Sequence, residues 1–521
     1  MLLRLPDTTT AVLTGGEITL SQSLSFNGGF VSYKLGDGLT VRVRSQTEGI
    51  SFLYLKWNKF TDTGAKVLGD AWERGYGNLE WKSISESGAM PWYMAISNGS
   101  DSSLDYKGRF TECFGIGTQP NAMAHWRLDA DSITLCLDLR CGCKPVLLGE
   151  RELEVGTVYF SEYRDVSAFS AIRSFCRVMS PSPLLPPHTV YGSNNWYYAY
   201  GKSSHEDILA DSRFVADACR GLENKPYMVI DDGWQKNSCD APWDVGNERF
   251  PDMRRLAEEM THIGVRPGIW VRYLINGKDN KSRKIDTLPE EWYSERSRFV
   301  LDPSHPGVLN YVKETTRRLV DWGYTLIKHD FSTFDIFGIW GFETKELLAN
   351  GEWSFYDKTK TTAEIIKQLY RTVKDAAGNT VIIGCNAIGH LCAGLHEFNR
   401  TGDDTSGRNW AQTKKMGVNT LAFRIAQNNA FFGADADCVG ILGMIDWKYN
   451  SQWLKLLSES GSCLFVSCKP GILNEEEMED LRRGFAAGSY QKDELIPLDW
   501  METRTPTKYL INGNLTQFDW D

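Results

Sequence analysis

Between residues 190 and 468 the chain carries eight short apolar runs, each closing on a polar or charged cluster. They are VYGSNNW (190–196), YMVIDDGW (227–234), RPGIWVR (266–272), YTLIKHDF (324–331), TVIIGCN (380–386), FNRTGDD (398–404), NAFFGADAD (429–437) and GSCLFVSC (461–468). Longer amphipathic stretches separate them, among them 205–219, 250–264, 306–323 and 360–378. Several of these open on a good cap or an early proline and end near glycine, as helices do. A strand buried on both faces reads as an apolar run, and joining parallel strands needs a long crossover. Eight such units predict a (β/α)8 barrel, whose chemistry gathers at the carboxyl ends of its strands. The polar endings therefore mark the candidate site.

Residues 1–165 follow a different rule. Short alternating runs such as ITLSQSLSF, LTVRVRSQ and SITLCLDLR, broken by Gly, Asn and Asp turns, predict an amino-terminal β-sandwich. Residues 166–187 have helical spacing and then a proline cluster, which marks a linker. The barrel is assigned to 188–475, and 476–521, around Asn512-Gly513, to a short β appendage. The expected class is thus multidomain, α/β and β.

A net charge of −10, with no basic run, argues against a nucleic-acid partner and favours a neutral one. No segment reaches membrane-spanning length, and MLLRLPDTTTAVLTGG lacks the apolar stretch of a signal peptide. A cytoplasmic protein is expected, or an exported one whose signal has been trimmed. Cys141-Gly-Cys143 reads as ordinary thiols. The 18 Trp, 21 Tyr and 24 Phe suit large cores as well as surfaces that stack on sugar rings, so they point to no single role.

Residues two apart on a strand share a face, so Lys328 and Asp330 both point into the barrel mouth. A nearby ammonium keeps a carboxylate ionised, as a nucleophile requires. Arg400-Thr-Gly-Asp403-Asp404 closes the sixth run, two strands away, and can face Asp330 across the mouth. Two carboxyls about 5–5.5 Å apart, one nucleophilic and one an acid/base, define a retaining glycosidase. Asp403 and Asp404 point to opposite faces, so only one of them takes that part. Asp231-Asp232 closes the second run and suits vicinal hydroxyls or a metal; the lack of a third ligand at suitable spacing favours hydroxyls.

Taken in order, these endings resemble the α-galactosidase and α-N-acetylgalactosaminidase clan, glycoside hydrolase families 27 and 36, over residues 188–475. The resemblance implies that Trp196 packs on the sugar and that Asp231 and Asp232 grip its 4- and 6-hydroxyls. It implies an aromatic third-strand end at Trp270, Lys328 beside the nucleophile Asp330, and a sugar-binding Arg400 followed by the acid/base Asp404. Asp437, of Asp435-Ala-Asp437, is implied to line the galactose site. The β domain ahead of a barrel is the family 36 arrangement. Cys385-Asn386 departs from the family patterns where the sugar's 2-substituent is met, which leaves galactose and N-acetylgalactosamine open. Arg272 is placed either to meet an extended or acidic substrate or to form a rim salt bridge. The segment Asp70-Ala-Trp72-Glu-Arg-Gly-Tyr76 is placed either over the barrel mouth or in a plain domain interface.

The reading is a retaining α-glycosidase acting on a carbohydrate, without metal or organic cofactor, in an architecture compatible with a homo-oligomer. α-N-acetylgalactosaminidase, β-L-arabinopyranosidase and transglycosylase are the alternatives within the class. A catalytically silent sugar-binding barrel and a metal-dependent barrel hydrolase stand outside it.

Overall fold

The computed structural model describes residues 3–20, 24–59, 64–237, 239–277, 288–490 and 495–521. The amino-terminal part is two antiparallel sheets, one of six strands and one of eight. Alternation in the sequence becomes alternation in burial: Leu39–Ser45 buries every second residue, and so does Thr8–Leu13. The buried faces meet through large rings. Trp57, from the six-stranded sheet, sits 5.1 Å from Phe160 of the eight-stranded sheet, which in turn lies 4.9 Å from Phe114. The helix Ala168–Met179 follows, capped by the Ser167 side chain, and Asp101 accepts from its first two N–H groups.

Eight parallel strands then close into a barrel in chain order. We number them β1 (Tyr191–Asn194), β2 (Tyr227–Ile230), β3 (Arg266–Val271), β4 (Leu326–His329), β5 (Val381–Gly384), β6 (Phe398–Arg400), β7 (Gly433–Ile441) and β8 (Cys463–Cys468). The four expected helices form at His205–Ala218, Met253–Ile263, Pro306–Asp321 and Thr362–Ala377. Ser204 and Thr361 open two of them with capping boxes, and Pro306 starts a third.

Inside the barrel, Val229, Leu326, Ile383 and Phe398 form part of an apolar plug distinct from the main core. The period of two decides what lies above it. Two residues further along the same faces come Asp231, Lys328, Cys385 and Arg400. β7 departs from the expectation that its run ends at Asp437. It continues to Ile441 through a bulge, three steps from Asp435 to Cys438 opposing two on β8.

The expected β appendage from 476 is corrected at its start: Glu475–Gly488 is a helix. Asn474 and Glu477 cap it reciprocally and three glutamates fill its first turn, favoured at a helix amino terminus. Three antiparallel strands follow at Leu495–Pro497, Lys508–Ile511 and Asn514–Gln517, the last two joined at Asn512-Gly513, where both residues have positive φ. Among the described residues no helix is long and apolar enough to cross a membrane.

Candidate active site

Asp330 leaves β4 with its carboxylate held from two sides. The Trp270 indole, at the end of β3, donates to Oδ2 at 2.9 Å, and the Phe331 N–H donates to Oδ1 at 2.7 Å. Burial pushes its pKa up, but Lys328, Arg74, the indole and the Phe331 N–H outweigh burial and hold it below the usual carboxylate range. The group is a carboxylate. Lys328 acts on it at a distance, because its ammonium bonds Asp231 on β2 at 2.7 Å. Asp231 also accepts from Asn194 of β1 at 2.6 Å. The ends of β1, β2 and β4 are thus tied together beneath the mouth, over the β3 strand that separates the last two.

Across the mouth one cation serves three acids. Arg400 is 3% exposed, and its guanidinium meets Asp435 at 3.0 Å, Asp437 at 3.1 Å and Asp404 at 3.3 Å. The β7 bulge supports this, with Asp437 in the left-handed region at φ 68°, a strained conformation of the kind retained at functional sites. Asp437 also accepts from the Tyr197 hydroxyl, from the Thr405 N–H at 2.7 Å and from Thr405 Oγ1 at 2.9 Å. Burial raises its pKa, yet Arg400, Tyr197 and Thr405 hold it below the usual range. Asp404 has the longest of the three arginine contacts. Burial and the charge on Asp437 push it up to about 6, against the pull of Arg400 and Arg74. One carboxyl beside the mouth is therefore ionised and the other keeps a proton into mildly acidic solution.

Arg74 comes from the amino-terminal β layer. It is 5% exposed and pairs with Asp403 at 2.7 Å, one residue before Asp404. Its backbone neighbourhood is stitched to the same turn: the Gly75 N–H donates to Thr401 O at 2.8 Å, and the Asp403 N–H to Gly75 O at 3.0 Å. Gly402 leaves no room for a side chain here, since a Cβ would lie 2.1 Å from Met416 O. Glu73 is buried and accepts from the Asn386 amide, the Tyr76 hydroxyl and the Gly341 N–H. Of the two placements read for this segment, the structure has the one over the mouth. The sequence marked the segment by its packed charges and rings, but did not single out Arg74.

The remaining expected residues divide. Trp196 starts a short helix, Trp196–Ala199, half-buried, with its ring 4.9 Å from Tyr200. Cys385 is buried, with Arg74 Nη1 3.9 Å from its sulfur. Asp232 turns to its own loop, accepting from Gln235 at 2.5 Å and the Cys239 N–H at 2.7 Å. Asn386 is held by Glu73 and by the Phe334 N–H at 2.9 Å. Arg272 forms the salt bridge of its two placements, with Nε about equally far from both Asp335 oxygens at 3.1 and 3.0 Å. Asn194 belongs to the polar ending of the first run but was given no role of its own there. Tyr197 and Asp335, on short helices past the strand ends, carried no signal because each acts through a partner on another element. Among the described residues no group of three metal-ligating side chains is gathered.

No protein-family model and no curated protein matches the chain. Solved structures do. The α-galactosidase of Thermus thermophilus, in complex with p-nitrophenyl α-D-galactopyranoside, is similar over 98% of this chain and 98% of its own, at 15% identity and a TM-score of 0.61. A GH36 α-galactosidase of Geobacillus stearothermophilus is similar over 93% of this chain and 76% of its own, at 14% identity and a TM-score of 0.60. The α-galactosidase of Lactobacillus brevis is similar over 93% and 73%, at 12% identity and a TM-score of 0.56. At such identities the likeness establishes architecture: this chain folds, almost from end to end, as these α-galactosidases do.

Proposed function

We infer that the chain is a retaining α-glycosidase that hydrolyses terminal α-galactosides, with Asp330 as nucleophile and Asp404 as acid/base. The arrangement that carries this reading is a pair of carboxyls at the ends of β4 and β6. Asp330 is held by the Trp270 indole and the Phe331 N–H, Asp404 has only the longest of the Arg400 contacts, and their surroundings lower the first pKa and raise the second. Environments that push two acids apart mark a nucleophile and a proton donor. Asp330 forms a bond to the anomeric carbon as the glycosidic C–O bond breaks and Asp404 protonates the departing oxygen. Asp404, now a carboxylate, takes a proton from water, which attacks the anomeric carbon and releases Asp330 with the configuration retained overall.

Asp231, Lys328, Arg400 and Asp437 are the groups for the sugar hydroxyls, already held in place by one another. The choice of α-galactosides rests on two of the similar structures, one holding p-nitrophenyl α-D-galactopyranoside and one stachyose. The test is a panel of aryl glycosides with Asp330→Gly and Asp404→Gly, each with added azide. Retention predicts β-galactosyl azide from the first variant and α-galactosyl azide from the second. Near-normal hydrolysis by either variant without azide rejects the assignment, and preference for an N-acetylgalactosaminide or a β-L-arabinopyranoside moves the substrate.

A further inference from the structure

We propose that Arg424 is a positioning residue, whose one guanidinium keeps the segment carrying Arg74 in register with the turn carrying Asp404; this rests on the glycosidase reading above. Arg424 ends the short helix Thr420–Arg424, beyond the loop of β6, and its side chain is 3% exposed. Its Nε lies 3.0 Å from Asp70 Oδ1, and its Nη2 donates to Asp70 Oδ2 at 3.3 Å. Its Nη1 serves a different stretch of chain and donates to Thr401 O at 3.1 Å. Asp70 opens the amino-terminal segment that leads to Arg74, and Thr401 separates Arg400 from the turn to Asp403 and Asp404.

The junction is filled on both sides. A carbonyl oxygen has two lone pairs, and those of Thr401 O go to Arg424 and to the Gly75 N–H at 2.8 Å. Asp70 takes a further bond from the Gln427 amide at 2.9 Å, and that amide also donates to the Tyr93 hydroxyl at 2.9 Å. Between Asp70 and Gly75 the segment is pinned once more, where the Trp92 indole donates to Trp72 O at 3.1 Å. Past Gly75 there is no slack. A Cβ on Gly77 would lie 2.5 Å from Lys415 O, in the π-helical stretch Lys414–Asn419 that runs into the helix of Arg424.

An ion pair buried this deeply is weak evidence of stabilisation, because desolvation offsets much of its attraction. What sets this one apart is its third bond. Docking of the β layer needs only the contact with Asp70, whereas the bond to Thr401 O adds the chain between Arg400 and Asp404. The consequence is electrostatic. Arg74 lowers the pKa of Asp330 and Asp404 alike, and the pull of a charge weakens with distance. A segment released from the turn therefore loses part of its hold on both acids.

The test is Asp70→Asn with Arg424→Met, which removes the cation and its counter-charge together and strands neither. The pH profile of kcat/KM is measured on galactosyl-α-1,6-glucose, where the rising limb needs Asp330 ionised and the falling limb needs Asp404 protonated. Both limbs are expected to move in the alkaline direction by about one pH unit. Adding Arg74→Met takes them no further than Arg74→Met does alone, since the charge is then gone wherever the segment lies. Arg424→Lys, which keeps the charge and a donor, holds the limbs nearer to wild type. A purely structural role lowers the height of the profile and leaves its limbs in place, and that result, or shifts that add in full, overturns the proposal. Hydrogen exchange covers a variant too weak to profile: the Gly75 and Asp403 amides, which bond across the junction, exchange about tenfold faster while the barrel strands keep their protection. Unchanged exchange at both amides also overturns it. A wild-type chain inert towards the disaccharide and aryl galactosides overturns the glycosidase reading, and this one with it.

Discussion

Arg74 Nη2 lies 2.7 Å from Asp403 Oδ1, so a cation from the amino-terminal β layer is fastened to the turn that presents Asp404. Its charge reaches both candidate catalytic carboxyls, lowering Asp330 and Asp404 alike. Arg74→Met removes that pull and raises both pKa values. The rising limb of kcat/KM, which needs Asp330 ionised, moves to higher pH; so does the falling limb, which needs Asp404 protonated. The whole bell shifts in the alkaline direction, and Arg74→Lys largely restores it. A profile that loses height without moving contradicts this electrostatic role.

Asp404 loses its proton near pH 6, so cleavage that depends on leaving-group protonation declines above that pH. Replacing it with alanine is expected to slow a substrate with a sugar leaving group by about 10²–10⁴-fold. A p-nitrophenyl galactoside leaves without much help, so its glycosylation step slows far less. The falling limb near pH 6 disappears from that profile as well. Single-turnover kinetics on the two substrates give the comparison, and equal losses would rule Asp404 out as the acid.

The period of two made part of this site legible in the sequence. It put Lys328 and Asp330 on one face of β4, and it set the polar ending that carries Arg400 and Asp404 at the close of the sixth run. It could not say which strand end each charge would meet. Lys328 bonds Asp231 across the barrel rather than Asp330 on its own strand, because closure brings β2 and β4 within reach. Arg272 and Asn386 looked like ligand groups for the same reason, a polar type at a strand end. Asp335 and Glu73, each on a distant segment, engage them instead. The β7 bulge was hidden because Gly433–Ile441 reads as a strand at either register. The loop that carries Arg74 was marked, but not Arg74 itself, since nothing in its run of charges and rings says which side chain will meet the barrel.

The Lys328–Asp231 pair is buried, with side-chain exposures of 12% and 4%. Removing one partner strands a charge in a poorly solvated layer, whereas removing both leaves only polar packing to be made good. Lys328→Met is expected to destabilise the fold by about 3–5 kcal/mol, and Lys328→Met with Asp231→Asn to recover much of that loss. Urea unfolding of the two single variants and the double variant closes the cycle. Additive losses would mean that the pair is not coupled.

Arg400 gathers Asp404, Asp435 and Asp437, and this crowding has a consequence for stability as well as for proton transfer. The folded pKa of Asp404, about 6, lies above its ordinary value of 3.8. Between those values the folded chain binds more protons than the unfolded one, so stability falls as pH rises through that window and stays lower above it. Asp404→Asn keeps the shape and an acceptor for Arg400 while removing the charge. Because the side chain is 42% exposed, solvent screens much of the effect, and a gain of about 1 kcal/mol at pH 7.5 is expected. That gain shrinks as pH falls towards 4, where wild-type Asp404 is protonated in the folded state and its charge no longer weighs on the fold. Denaturant unfolding at pH 4 and pH 7.5 measures the difference. A variant less stable than wild type at pH 7.5, or one whose gain grows towards pH 4, would show that the charge on Asp404 is welcome in the fold, and the proton-donor role would lose its physical basis.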